Sequence, residues 1–326
     1  MRKTILMTAV MAAAFSTSQM ALAGASLAEQ IAERGKQEAN EYPGLQDLCR
    51  LDASLGAGGP PESKDDDASK ELGAGKVFDN LYFVGNDKVS SWALNTTEGI
   101  ILIDALNNPE EAKSDITQGL ETLGLDPNDI KYLVITHAHG DHYGGQSWIV
   151  EQYSPEVMMS QADWDVLADP SQGFDNPNWG EPPKKDRVVG DGETLTLGST
   201  TVTFNVTPGH TPGTLSLRFP VQDEGVEHHA ILWGGTGFNF GEDEARLRRY
   251  SASAARMHQL MEEENFDVFL SNHPQVDGTV LRFKALEARA SGEPHPYVTG
   301  KETVLKAMDS LTDCSLAQAE RVRANR

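Results

Sequence analysis

Residues 136–145, "THAHGDHYGG", follow directly on the apolar run Tyr132, Leu133, Val134, Ile135. No other stretch constrains the fold as much, because three imidazoles and a carboxylate crowd into six positions at the end of what reads as a buried strand. An unpartnered polar group taken out of water costs several kcal/mol. Something must satisfy these side chains, and a metal ion is the candidate that suits histidine and aspartate together. His137 and His139 are two apart at the end of an extended run, so their side chains project on the same side and can share one ion. Asp141 and His142 lie just past Gly140, whose access to positive φ is expected to turn the chain back toward the same point. One short loop can therefore serve two neighbouring ions.

Two further histidines sit in similar places. "TPGHTPG" puts His210 in a turn framed by Pro and Gly between two strands, and "SNHPQ" puts His273 just after the strand "FDVFL". The rest of the pattern is mixed α/β. Short β-rich runs ("VFDNLYFVG", "SSWALNTT", "GIILIDA") read as an antiparallel meander, and "YLVIT" is flanked by helices expected over 109–123 and 144–153. The second half repeats this logic with "TVTFNV", "TLSLRF" and "AILWGG". A helix follows whose stripe is Leu247, Tyr250, Ala254, Met257 and Leu260. Helices over 279–290 and 302–319 close the chain. Two β-rich halves, each flanked by helices, predict an α/β four-layer αββα sandwich with its site where strands end in loops.

The N-terminus reads as a secretory signal: Arg2 and Lys3, an apolar stretch from Ile5 to Phe15, then Ala21-Leu22-Ala23, with cleavage expected after Ala23. The product is expected in the periplasm or outside the cell, with no membrane attachment. Residues 24–75 read as an N-terminal extension and linker, with a helix near 27–37 and then the exposed "GAGGPPESKDDDASKE", leaving 76–326 as the main folded domain. The formal net charge of −22 argues against nucleic acid as a partner. A small molecule is the expected substrate. Only two cysteines are present, Cys49 and Cys314. In an oxidising compartment they are expected to form one disulfide, the alternative being two buried thiols that never meet.

With these residues in view, the chain resembles the metallo-β-lactamase superfamily. His137, His139, Asp141 and His142 match its H-x-H-x-D-H signature, and His210 and His273 match its later histidines. The resemblance implies two Zn(2+) ions, one held by His137, His139 and His210 and the other by Asp141, His142 and His273. It implies that a metal-bridging hydroxide attacks the scissile carbonyl, that Asp141 orients this nucleophile and relays a proton, and that Asp104 in "IDA" supports the metal loop. His228, His229, His258 and His295 are expected at the surface or rim.

The branch is indicated by "GGTGFNF". Many members, including lactonases, thioesterases and phosphodiesterases, carry an aspartate after the strand "AILWGG" that bridges both ions; here Thr236 stands in that place. This pattern is similar to the third subclass of metallo-β-lactamases, which implies opening of β-lactam rings. Relatives there carry serines just beyond the hydroxyl residue, where this chain has Gly237, Phe238 and Asn239. A lactonase, or another hydrolase of cyclic esters or amides, is the alternative. A mononuclear iron sulfur dioxygenase and a non-catalytic metal-binding module are the others. The stretch 169–186, rich in Pro, Gly and Asn, suits a loop bordering a groove, and the resemblance to the third subclass, where the corresponding loop flanks the substrate, implies contact through Phe174 or Trp179.

Overall fold

A computed structural model describes residues 25–55, 72–169 and 176–326. The expected signal peptide and its cleavage site, the linker 56–71 and Phe174 lie outside the described residues. The first sheet has seven strands in chain order: β1 (Gly75–Lys76), β2 (Leu81–Phe83), β3 (Trp92–Thr96), β4 (Gly99–Ile103), β5 (Ile130–Val134), β6 (Glu156–Ser160) and β7 (Arg187–Val189). Pairing is antiparallel from β1 to β4 and parallel from β4 to β7. The second sheet contains β8 (Thr194–Leu197), β9 (Thr200–Val206), β10 (Leu215–Asp223), β11 (Val226–Trp233) and β12 (Phe266–Ser271). Its spatial order is β12-β11-β10-β9-β8, and only the β11–β12 pair is parallel.

Side-chain alternation explains why these sheets stack in the middle of four layers. In β4, Ile101 and Ile103 join one buried cluster while Ile100 and Leu102 join another, so the strand needs an apolar neighbour on each face. In β11 the same split separates Ala230 and Leu232 from Ile231 and Trp233. One cluster lies between the sheets, where Phe83, Trp92, Val134 and Met158 meet Phe204, Leu217 and Leu270. Outside the first sheet, Ile116, Leu120, Ile149 and Trp164 cover it from the helical segments at 109–122, 146–153 and 161–168. The first of these is expected as one regular helix, but it widens into a π turn over Ala112–Thr117. Outside the second sheet lie the helices Glu244–Glu262 and Lys301–Ala324, whose Leu247, Tyr250, Met257, Met308 and Leu311 are buried.

The described part of the N-terminal extension packs into this last layer. Helix Leu27–Glu38 starts with a capping box between Ser26 and Glu29 and packs Ile31 and Ala32 inward. A short second helix, Pro43–Leu48, buries Leu45 and Leu48. Cys49 and Cys314 then form the expected disulfide, joining this segment to helix Lys301–Ala324 across 265 positions. Among the described residues no helix is long and apolar enough to cross a membrane.

Closing so long a loop is worth about 5 kcal/mol in the chain-entropy account, an upper figure because solvation and strain reduce it. Cys314→Ser is therefore expected to lower the unfolding free energy in urea by about 2–5 kcal/mol. An unchanged midpoint and slope would show that the bond contributes nothing to stability.

Candidate metal centre

Five loops meet where β4, β5, β11 and β12 end and where β9 turns into β10. Thr136, just past β5, ties them together. Its N–H and Oγ1 donate to Asp104 at 2.7 and 2.9 Å, and its carbonyl accepts from Leu215 N in the second sheet at 2.8 Å. Asp104 has a positive φ of 64°, a conformation that Asp tolerates better than most residues. Its Oδ2 also accepts from His142 Nδ1 at 2.8 Å. Asp104 thus accepts three hydrogen bonds on one fully buried carboxylate.

The histidines are held in a common way. His137 Nδ1 donates to Gly234 O at 2.8 Å, His210 Nδ1 to Gly237 O at 2.9 Å and His273 Nδ1 to Lys88 O at 2.9 Å. With Nδ1–H spent on an oxygen of the frame, each ring presents the lone pair of Nε2. His137 Nε2 then lies 3.0 Å from His210 Nε2 and 3.0 Å from His139 Nδ1. Lone pairs converging this closely repel unless a cation sits among them. Nitrogens on a tetrahedral ion with bonds of about 2.0–2.1 Å are roughly 3.3 Å apart, close to this spacing. Asp141 Oδ2 lies 3.4 Å from His142 Nε2 and 4.0 Å from His273 Nε2. Among the described residues Asp141 Oδ1 and His142 Nε2 are buried without a hydrogen-bond partner, and both are donor atoms suited to a cation.

Charge follows geometry. Burial, reinforced by neighbouring imidazoles, holds His137 and His210 well below the usual histidine range, and burial brings His139 down to about 4. These three rings are neutral at physiological pH, the form that binds metal. Burial disfavours a charged His142 too, but Asp141 and Asp104 outweigh it and hold this ring up at about 10. Burial would likewise raise Asp141. The histidines around it, His142 foremost, win instead and hold its carboxyl well below the ordinary carboxylate range.

The remaining expected residues are placed as follows. Thr236 is buried just past β11, its Oγ1 3.0 Å from Ser271 Oγ. Trp179 stacks beside His139, with ring centroids 6.4 Å apart and planes 22° apart. It also explains Gly140: this residue does not use positive φ, but a Cβ there would lie 2.3 Å from the Trp179 ring. Phe238 does not face the cluster. It is buried edge-on against Tyr250, 5.0 Å between centroids. His295 is not at the surface either, being buried and stacked on Phe78 at 4.1 Å. Asn272, beside the quoted His273, is a contributor that the sequence motif does not single out: its Nδ2 donates to Gly234 O at 2.7 Å, the carbonyl that also orients His137.

The family model of the metallo-beta-lactamase superfamily matches residues 84–223, the segment holding His137, His139, Asp141, His142 and His210. This segment carries a metallo-β-lactamase superfamily domain. The fold of the chain is similar to that of BJP-1, a subclass B3 metallo-β-lactamase of Bradyrhizobium japonicum, with 27% identity and a TM-score of 0.63 over 80% of this chain and 99% of that one. In sequence it is 28% identical over 158 residues to a probable metallo-hydrolase, YqgX, of Bacillus subtilis, covering 47% of this chain and 71% of that protein. It is also 28% identical over 143 residues to a hydroxyacylglutathione hydrolase of Synechococcus, covering 42% of this chain and 46% of that protein. The chain thus spans less than half of the latter's length.

Asp104→Ala would leave Thr136 N–H and His142 Nδ1–H buried without their acceptor. It is expected to reduce unfolding free energy by about 2–4 kcal/mol and metal retention by 10–100-fold, read by urea unfolding and chelator competition. Unaltered metal retention would contradict the role given to Asp104.

Proposed function

We propose that this superfamily member is a dinuclear zinc hydrolase that opens β-lactam rings. What supports the reading is the convergence of His137, His139 and His210 and, beside them, of Asp141 and His142, with His273 Nε2 4.0 Å from Asp141 Oδ2; we take Asp141, His142 and His273 as the second three-residue set. Three protein ligands leave a position for water or substrate, as in catalytic zinc sites and unlike closed structural ones. Imidazole and carboxylate donors suit zinc. When bound, two such ions supply a hydroxide near neutral pH and a Lewis acid for the scissile carbonyl.

The chain's own residues direct that chemistry. Among the described residues Asp141 Oδ1 makes no hydrogen bond, so it is available to accept one from the attacking water and orient it. Trp179 gives the three-histidine set a partly exposed aromatic wall. Thr236 brings no carboxylate, so Asp141 alone among the ligand residues offsets the cations' charge. Stronger net positive charge favours a poor, anionic leaving group, and the amide nitrogen of a β-lactam is poorer than the alkoxide of a lactone. Residues 237–239 offer fewer side-chain donors than serines would, and Phe238 is turned into the core, so substrate binding is weak. Likeness to a subclass B3 enzyme supports this reading. An ester substrate, such as a lactone, is the second reading, favoured by the match to a hydroxyacylglutathione hydrolase. Export through the signal-like segment 1–23 belongs to the same proposal, and the Cys49–Cys314 bond supports an oxidising compartment.

The purified protein is expected to hold about two zinc ions per chain, to hydrolyse penicillins or carbapenems with a high KM, and to lose turnover to a chelator and regain it with zinc. Thr236→Asp is expected to depress β-lactam turnover more than lactone turnover. Brisk lactone opening with every β-lactam left intact would favour the second reading, and one iron in place of zinc would contradict both.

A further inference from the structure

Asp163 is a fully buried carboxylate that the chemistry above does not use. It sits at the third position of helix Gln161–Ala168, behind Ser160, whose Oγ accepts from Asp163 N at 3.2 Å. In the S-x-x-D pattern the acidic residue ordinarily reaches back to cap its own helix. Here it reaches outward. Asp163 Oδ2 accepts from Ala138 N at 2.9 Å and from Thr211 Oγ1 at 2.7 Å, and Oδ1 accepts from Gly213 N at 2.7 Å.

Those three donors belong to the two loops that carry the three-histidine set. Ala138 lies between His137 and His139, while Thr211 and Gly213 follow His210. One carboxylate therefore spans loops 73 positions apart in sequence. Gly213 shows how close the approach is: a Cβ there would fall 2.0 Å from Ser160 Oγ and 2.8 Å from Asp163 Oδ1. From helix Glu244–Glu262, Arg246 Nε donates to Gly209 O at 2.6 Å and its Nη2 donates to His210 O. The His210 loop is thus gripped from both sides, and Asp163 supplies the grip that is shared with His137 and His139. Among the described residues, the side-chain hydrogen bonds of Asp163 go to Ala138, Thr211 and Gly213 and not to Asp141, His142 or His273.

We propose that Asp163 is the positioning residue of the three-histidine set: it fixes the spacing of His137 and His139 relative to His210, and so sets the affinity of that ion without setting the other. The proposal rests on the reading of these three histidines as one ion's ligands. An outer carboxylate that holds ligand loops typically changes metal affinity by 10–100-fold.

The test is zinc titration of metal-free full-length protein against a chromophoric chelator, resolving two binding steps, for wild type, Asp163→Asn and His210→Ala. Asparagine keeps the shape but replaces one acceptor oxygen by a donor, so Ala138 N, Thr211 Oγ1 and Gly213 N can no longer all be satisfied. The expected result is a 10–100-fold loss in the step that His210→Ala also weakens, with the other step within twofold of wild type. Asp163→Asn leaving both steps unchanged while His210→Ala weakens one would overturn the proposal and leave the ligand reading standing. Equal weakening of both steps would overturn it too, as a merely structural effect. No effect of His210→Ala would overturn the ligand reading itself. If Asp163→Asn fails to fold, Thr211→Val decides in its place: it removes a single donor to Asp163, and a selective loss of several-fold supports the proposal where no loss overturns it.

Discussion

Burying five imidazoles together is unfavourable unless each is oriented, and the hydrogen bond from Nδ1 to a fixed oxygen is the interaction on which the rest of the structure depends. Four of the rings make it: His137 to Gly234 O, His210 to Gly237 O, His273 to Lys88 O and His142 to Asp104. The bond fixes which nitrogen carries the proton and where the other points. Nearly every acceptor is a backbone carbonyl of a different loop, so the rings are correctly aimed only once both sheets are assembled. The cluster is preformed by folding.

Buried aspartates extend that frame. Asp104 fastens the end of β4 to Thr136 and His142, and Asp163 fastens the loops around His137, His139 and His210. Asp277 does the same for the loop after β12, accepting from Ser271 N at 2.8 Å and Thr279 N at 2.9 Å. Burial pushes the carboxyls of Asp163 and Asp277 up to about 6 in spite of these donors. An ionised carboxylate in such a place is costly, and several N–H groups per carboxylate are what offset the cost. The outer helical layer contributes from further away. Its Arg246 holds the carbonyls of Gly209 and His210, and its helices are tied by the disulfide to the N-terminal segment.

Legibility in the sequence tracked the range of the interactions. The His-x-His spacing at the end of an apolar run is a local, period-2 signal, and the structure brings those rings together. Alternation in "TVTFNV" and "TLSLRF" likewise marked β9 and β10. The strands β6 and β7 were not evident, since "EVMMS" is buried on both faces and shows no alternation, and β7 is three residues long. Gly140 read as a hinge because a glycine's need for space is invisible until its neighbour is known, here the Trp179 ring. Asp163 and Asn272 carry no signal of their own in the sequence. Their partners lie 25 to 136 positions away, a separation that no local pattern encodes. The packing of the N-terminal segment onto the outer layer left no local signal, because the apolar positions that seat it, such as Tyr42 and Leu45, are few and spread out.

The central claim is that this frame presents two adjacent ligand sets. Anomalous scattering from a zinc-soaked crystal on both sides of the zinc absorption edge tests it most directly. The account predicts two peaks about 3.5–4 Å apart, one contacted by His137, His139 and His210 and the other by Asp141, His142 and His273. A single peak shared by all six residues, or peaks elsewhere on the molecule with the cluster empty, would contradict it.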